Sequence, residues 1–353
     1  SELMSATEHP RTDVSPDSAP NGPSLLRFLH SIEDLIAAAA LVAMVLLPLA
    51  EITIRPFIAG GIPGSIPFVQ HLTLWVGFLG ATLAAREGKL IALATGTLMP
   101  EGRVRTVAKV LAAMFGGAVS VILAIGAVDV VLVERDIGSE IALGVPVWVV
   151  LLVLPFSFLL IACRLMWHGG ESWGQRILAA LAALAGVWLS NSYDFLDGTS
   201  AWPWVLLVVA AALAGAPIFT VLAGAGVFLY MTLFVPPAQV ALYAYDLATE
   251  PLLPAIPLFT LTGCILAQGR VSERLLRLFR ALVGWVPGGT AVVCVVVCAF
   301  FTIFSGASGV TILALGGLLL PALLKDGYRD RFSVGLLTAS GSLGLLLPPA
   351  LPL

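Results

Sequence analysis

The chain has 353 residues, of which 59% are hydrophobic and only 11% are charged. Soluble domains carry about 25% charged residues, so this composition excludes a water-soluble globular protein and indicates a polytopic membrane protein. The formal net charge of −3 and the lack of a basic stripe argue against nucleic-acid binding. The four cysteines lie in apolar stretches and lack the spacing of a disulfide or zinc framework.

Long apolar runs organise the first half of the chain. A spanning helix needs about 20 apolar residues, because it rises about 1.5 Å per residue across a hydrocarbon core of about 30 Å. The polar segment 1–24 predicts a disordered tail, and residues 25–168 predict a four-helix membrane part. Its predicted helices cover residues 33–54, 68–85, 107–133 and 146–167. A shorter run at 176–190 predicts a linker helix within a linker and outer loop at 169–200.

The third predicted unit, residues 201–353, starts with two apolar runs that are divided at Gly215-Ala216-Pro217, which predicts a tight turn between two helices. A further apolar run covers 254–268. The segment 271–283, VSERLLRLFRALV, differs because its apolar positions recur at helical spacing. Its three arginines, Arg274, Arg277 and Arg280, share one face, which predicts a helix lying in the membrane interface.

The distribution of basic residues predicts the orientation. With the N-terminus in the cytoplasm, only Arg55 and Arg135 of the 18 Lys and Arg residues face outward. Cytoplasmic loops carry an excess of basic residues. We therefore expect a cytoplasmic N-terminus.

Glycine and proline interrupt two apolar runs near the end of the chain. The first interruption is Ser305-Gly306-Ala307-Ser308-Gly309, within 288–324, and either two membrane passes or one re-entrant hairpin would fit it. The second comprises Gly341-Ser342-Leu343-Gly344 and Pro348-Pro349. Broken helices inside a membrane free carbonyl and amide groups that lipid cannot satisfy, so they occur where they are buried in protein or line a water-filled site.

The two interruptions offer neutral oxygens: carbonyls and the hydroxyls of Ser305, Ser308, Thr338, Ser340 and Ser342. No Asp, Glu or His lies between Glu273 and Asp326, which favours a sodium-type site over proton coupling. The alternative is that these small residues only allow helices to pack closely. No metalloprotease, serine-hydrolase or P-loop motif occurs, so the chain is not expected to be an enzyme or an ATP-driven pump.

Two stretches resemble one family. The run from Trp75 to Gly88, WVGFLGATLAAREG, resembles the second helix of the small membrane subunit of tripartite ATP-independent periplasmic (TRAP) transporters. The residues IPLF at 256–259, FSGASGVTILALGG, KDGY and SGSLGLLLPPALP resemble the large membrane subunit. The chain is thus similar to fused small and large subunits, with an incomplete large part.

The resemblance implies an all-α bundle: a small-subunit-like part, a linker helix and the first inverted repeat of an elevator-type transport domain with a re-entrant hairpin. It implies sodium-driven uptake of an organic acid, such as a C4-dicarboxylate or a sialic-acid-like solute, delivered by a periplasmic binding protein to a bacterial inner membrane. Sodium is the coupling ion and no other cofactor is implied. The further partners are membrane lipids and a remaining large-subunit segment after Leu353.

The resemblance also implies site residues. Residues 305–309 would form the first hairpin tip and 341–349 the first broken helix, and the arginines of 271–283 would lie on an interfacial arm. The implied substrate and ion site comprises Ser305, Gly306, Ala307, Ser308, Gly309, Ser340, Gly341, Ser342, Gly344, Pro348 and Pro349. Backbone or hydroxyl oxygens of Ser305, Ser308, Gly309, Gly341 and Gly344 would hold the sodium ion.

Ala307 and Ala350 stand where the family often has hydroxyl residues, so only their backbone oxygens could contribute. Because the implied second repeat is missing, we expect the 353 residues alone not to transport. The alternative hypothesis is a scaffold or assembly protein that does not transport and whose glycine breaks serve helix packing.

Overall fold

The computed structural model describes residues 24–57, 61–93, 102–170, 172–268, 288–305 and 308–346, with the single positions 274, 277, 278 and 281. This part of the chain is helical, and its only bridges between extended residues are isolated ones, Ala92 to Pro217 and Glu140 to Pro146. The predicted all-α membrane bundle is therefore confirmed.

The first half contains the long helices. They are α1 (Ser24–Ile54), α2 (Ser65–Arg86), α3 (Arg103–Ile137), α4 (Val147–Leu151), α5 (Val153–His168) and α6 (Trp173–Asn191). By length and hydropathy, four helices of the described part could cross a membrane, namely α1, α2, α3 and the nearly continuous α4 and α5.

The second half contains shorter helices. They are α7 (Trp202–Leu213), α8 (Ile218–Met231), α9 (Ala238–Ala248), α10 (Ala255–Gln268), α11 (Gly289–Ser305), α12 (Ser308–Lys325) and α13 (Asp330–Leu343). A single 3-10 turn, Gly344–Leu346, follows α13. The predicted turn between α7 and α8 is confirmed, and Gly215 takes the left-handed φ of 89° that this reversal needs.

Two details differ from the expectation. The predicted helix at 146–167 is interrupted at Leu152, between α4 and α5. Pro155 has no N–H to donate to the carbonyl of Leu151, so the regular hydrogen-bond ladder cannot continue there. Helix α9 was not predicted, because its 11 residues are too few to span a membrane and include the polar Gln239 and Asp246.

Helix α3 lies at the centre of the first half and packs against α5, α6, α8 and α9. We call the buried cluster around it the first core. Its members without solvent exposure are Val119, Ala127, Leu151, Ala216, Val227, Met231 and Ala241. The buried members of this core come mainly from α2 to α5 and from α7 to α9, and Leu189 of α6 packs against them.

A separate second core joins α11, α12 and α13. Its most deeply buried members are Val293, Cys294, Val297, Cys298, Phe301, Leu315, Leu319 and Leu323. Helix α10 packs on α11 and α12. The second core therefore belongs to a distinct helical unit at the end of the chain.

An apolar cavity of about 800 Å³ lies between this unit and the first core. Phe78, Phe158 and Val240 line one side, and Ile256 and Leu261 of α10 line the other. Among the described residues, this apolar space lies between α10 and the first core.

Candidate functional site

The first interruption in the sequence forms the tip of a pair of packed helices. Helix α11 ends at Ser305 and α12 begins at Ser308, while Gly306 and Ala307 between them lie outside the described residues. The two helices bury Val297 and Phe301 together with Leu315 and Leu319. Because the 18-residue helix α12 begins at Ser308, the positive N-terminal end of its dipole lies at this tip.

A pair of hydroxyl groups joins the two helices below the tip. Thr302 Oγ1 lies 3.0 Å from Thr311 Oγ1 and 2.8 Å from the carbonyl oxygen of Cys298. Thr302 is fully buried and Thr311 is only 2% exposed. These two threonines were not among the predicted site residues, although their positions on either side of the break in an apolar run were a visible signal.

The second interruption meets this tip at two glycines of α13 and its end. A methyl group on Gly341 would come within 3.0 Å of Ile312 and 3.3 Å of the carbonyl oxygen of Ser308. A methyl group on Gly344 would overlap the carbonyl oxygen of Ala299 and the side chain of Thr302. The end of α13 thus contacts both helices of the pair, and only glycine fits at the closer of the two contacts.

The predicted site residues lie around this meeting point in different environments. Ser308 is half-buried, whereas Gly309 is exposed, with open space where a Cβ would lie. Ser340 is buried and its hydroxyl donates to the carbonyl oxygen of Leu336 at 2.5 Å. Ser342 is exposed.

The break in the last apolar run begins later than the sequence indicated. Gly341, Ser342 and Leu343 still belong to α13, and the α-helix gives way to the 3-10 turn at Gly344. The predicted residues Pro348 and Pro349 lie outside the described part of the chain, as do Ala350 and Leu353.

The surroundings of the meeting point are neutral. The sequences 288–324 and 332–346 contain no charged residue. At the opposite end of the α11 and α12 pair, the Thr290 hydroxyl donates a hydrogen bond to the carboxylate of Asp326. Carbonyl, hydroxyl and amide groups are therefore what the described residues offer to a ligand here.

The predicted interfacial arm is described only in part. Arg274 and Arg277 are helical and exposed, and Arg280 lies outside the described residues. The exposure of the two described arginines is compatible with their predicted location at head-group level.

Within the described residues, a group of closely paired charges lies in the first half. Arg164 of α5 donates two hydrogen bonds to Glu33 of α1, at 2.8 and 2.6 Å, and a third to the carbonyl oxygen of Thr82 of α2 at 2.5 Å. Arg86 lies 3.6 Å from Glu33 and donates to Asp34 at 2.7 Å. We call Glu33, Asp34, Arg86 and Arg164 the ion network. It ties α1, α2 and α5 together and was not predicted from the sequence.

Comparison with known proteins assigns two stretches of the chain to components of one transporter. Residues 205–353 match the family described as the tripartite ATP-independent periplasmic transporter, DctM component, and residues 44–168 match its DctQ component. The chain belongs to the tripartite ATP-independent periplasmic transporter family. The predicted fusion of a small and a large TRAP membrane component is thus confirmed.

Individual TRAP relatives agree with the family match. The chain is 31% identical over 224 residues to an isethionate TRAP transporter permease protein of Oleidesulfovibrio alaskensis, covering 60% of this chain and 34% of that protein. It is 37% identical over 150 residues to a C4-dicarboxylate TRAP transporter large permease protein of Rhodobacter capsulatus, covering 41% and 33%. An ectoine TRAP transporter large permease protein of Halomonas elongata is 36% identical over 97 residues, covering 28% and 23%. The chain thus spans about a third or less of the length of these relatives.

The two TRAP components share one core in this chain. The first core contains Leu74 and Val119 from the DctQ-like part and Val227 and Ala241 from the DctM-like part. A methyl group on Gly126 of α3 would come within 3.0 Å of the backbone of Ala238 at the start of α9. The first helices of the DctM-like part therefore pack as a continuation of the DctQ-like part.

A polar contact crosses the same boundary. The imidazole Nδ1 of His71 lies 2.8 Å from the carbonyl oxygen of Pro67 and therefore donates to it. The other ring nitrogen, Nε2, is left to accept from the Tyr245 hydroxyl at 3.2 Å. This contact fixes α9 against α2.

Proposed function

We propose that this chain belongs to the membrane component of a secondary active transporter that takes up an organic acid with sodium ions, after a periplasmic binding protein delivers the solute. The membrane is the bacterial inner membrane, with the N-terminus of the chain in the cytoplasm. The observation that carries the proposal is the contact of Gly341, at the end of α13, with Ser308 at the tip of α11 and α12.

This geometry supports a cation site for a chemical reason. Helix ends leave backbone carbonyls and amides without helical partners, and three helix ends converge here in an uncharged region. Carbonyls at such ends coordinate sodium in secondary transporters, and a helix N-terminus attracts the anionic group of a solute. We expect the N-terminus of α12 at Ser308 to attract the anionic group of the solute.

The presence of two cores supports movement of one unit against the other. We propose that the first core, with its ion network, is the static part and that α11 to α13 move as an elevator. The mostly apolar cavity beside α10 lies between the first core and α10, the helix that packs on the moving unit. The relatives' names suggest an anionic or carboxylate-bearing solute, as C4-dicarboxylates, isethionate and ectoine all carry an acid group.

The proposal is tested with the complete permease as its gene encodes it, reconstituted into liposomes with its binding protein. We expect uptake of a labelled C4-dicarboxylate or isethionate to require an inward sodium gradient. Uptake that continues unchanged when potassium replaces sodium at the same membrane potential would overturn the sodium coupling.

A matched pair of variants separates an ion site from mere helix packing. Gly341→Ala crowds Ser308, whereas Gly335→Ala, on the same helix, meets nothing within 4 Å. We expect Gly341→Ala to raise the sodium concentration needed for half-maximal uptake while folded protein is retained, and Gly335→Ala to leave it unchanged. Loss of folded protein in Gly341→Ala, or an unchanged sodium requirement in a folded Gly341→Ala, would favour the scaffold hypothesis instead.

A further inference from the structure

A second cavity, of about 430 Å³, lies at the basic end of the first-half helices. Its walls come from the end of α2 and the loop after it, the start of α3, the end of α5 and the turn between α7 and α8. Arg105, Lys109, Arg164 and His168 line it, and none of its described lining residues is acidic. Its volume falls in the range of about 300 to 1,000 Å³ that is usual for small-molecule sites.

The walls of this cavity are fixed by two sets of contacts. The ion network holds Arg164 through Glu33 and Thr82. The amide of Ile218 donates to the carbonyl oxygen of Ile91 at 2.9 Å, which joins the loop after α2 to the start of α8. The cavity is therefore part of the static architecture and lies apart from the α11 to α13 site.

The cavity combines a basic side with an apolar side. Leu90, Leu93 and Leu165 line it together with the basic residues. Next to its lining residues in the chain, Ile91 is 77% exposed and Val104 is 60% exposed. A soluble anion would use only the charges, whereas a lipid would use the apolar side chains as well.

The residues near the cavity are typical of the head-group layer of a membrane. Tryptophans are enriched at both membrane interfaces, and Trp167 near the end of α5 and Trp173 at the start of α6 are both largely exposed. The guanidinium of Arg176 lies 4.3 Å from the ring centre of Trp167. Basic pockets between membrane helices on the cytoplasmic side are suited to the head groups of anionic lipids.

We propose that this cavity binds the phosphate head group of an anionic phospholipid, with Arg105 and Lys109 contacting the phosphate and Leu90, Leu93 and Leu165 contacting the glycerol and acyl region. The bound lipid would occupy the junction of the DctQ-like helices with the turn between α7 and α8. The site depends on neither sodium nor the transported solute.

The test uses the full chain, purified and incorporated into phosphatidylcholine nanodiscs with or without phosphatidylglycerol, followed by native mass spectrometry to count the lipids that stay bound. We expect the wild type to retain phosphatidylglycerol selectively. In Arg105→Gln/Lys109→Gln we expect its apparent affinity to fall about 25-fold, because each basic side chain near a lipid phosphate contributes about a factor of five.

A control variant removes the same charge elsewhere. Arg103→Gln/Lys325→Gln changes two exposed basic residues that do not line the cavity, and we expect it to bind phosphatidylglycerol like the wild type. Equal thermal unfolding of both variants would establish that the cavity variant is folded. If both variants lose phosphatidylglycerol equally, the lipid is held by general electrostatic attraction to basic side chains, and the proposal is overturned.

Two competitors distinguish the lipid from a free anion. Inorganic phosphate and succinate should not displace phosphatidylglycerol at millimolar concentration, because neither makes the apolar contacts. Displacement by inorganic phosphate would reassign the cavity to a soluble phosphate, and displacement by succinate would reassign it to a carboxylate. Either result would overturn the lipid proposal without affecting the proposed sodium coupling, which is measured by uptake.

Discussion

The two cores of this protein are held together by different kinds of interaction. The first core is fixed by charge pairing and by polar contacts between distant helices, including the ion network and the pair His71 and Tyr245. The second core is uncharged and depends on glycines at close helix contacts and on one pair of threonine hydroxyls. This difference agrees with the proposal that the first core is static and that α11 to α13 move, since weak contacts are exchanged more easily than strong directional bonds.

The largest expected effect comes from breaking the ion network. Glu33 is 9% exposed and Arg164 is 15% exposed, so Arg164→Met would leave a buried carboxylate without its main partner. We expect a loss of about 3 kcal/mol in the free energy of unfolding, since removal of one partner of a buried ion pair is costly. The measurement is unfolding of the detergent-purified protein, followed by circular dichroism.

Lys89→Gln is the control for this prediction. Lys89 pairs with Glu87 at 2.7 Å, but both side chains are exposed, at 76% and 50%. Such surface pairs contribute little, typically below about 1 kcal/mol. Equal losses in Arg164→Met and Lys89→Gln would show that the network does not stabilise the scaffold.

The second prediction concerns the closest contact in the second core. Gly344→Ala would place a methyl group against the carbonyl oxygen of Ala299 and push the end of α13 away from α11. We expect a loss of about 2 kcal/mol, in the range for overpacking. Limited proteolysis between α12 and α13 should detect the loosened contact.

Gly335→Ala should instead increase the free energy of unfolding. Gly335 is exposed within α13 and has no neighbour in the space that a methyl group would occupy. Alanine in an exposed helix interior is better than glycine by about 0.5 to 1 kcal/mol, so this variant should unfold at a slightly higher temperature. A destabilised Gly335→Ala would mean that α13 has a neighbour at this face.

The third prediction tests the junction of the two TRAP components. Gly126→Ala would crowd the backbone at Ala238, which, unlike a side-chain end, cannot rotate away. We expect a loss of about 1 to 2 kcal/mol, together with weaker protection of the α9 amides in hydrogen exchange. Gly80→Ala on α2 meets nothing within 4 Å and should leave that protection unchanged.

The smallest expected effect is that of the hydroxyl pair. Thr302→Val keeps the shape of the side chain but leaves the Thr311 hydroxyl without its 3.0 Å neighbour, and we expect a loss of about 1 kcal/mol. Thr338→Val removes an exposed hydroxyl that bonds only within its own helix and should be nearly neutral. If the two variants unfold at the same temperature, the threonine pair does not stabilise the second core.

Most helices were predictable because local properties define them. Apolar runs of sufficient length, turn residues such as Gly215 and the interruption at 305–309 are visible in the sequence, and the structure has helices at the runs, a turn at Gly215 and a helix end at Ser305. The interruption by Pro155 was missed because a run can stay apolar across a proline. Helix α9 was missed because hydropathy alone detects spanning helices and not short ones that pack on them.

The sequence by itself determined the membrane class of this protein, the helix break after Ser305 and the lack of charge around it, since composition and residue order contain all three. Only the tertiary structure decided which distant residues meet. Glu33 and Arg164 are 131 positions apart, and nothing in their local sequence specifies that they pair. The contact of Gly341 with Ser308 and the shared core of the two TRAP components likewise follow from helix packing, because burial depends on the face that each helix presents to its neighbours.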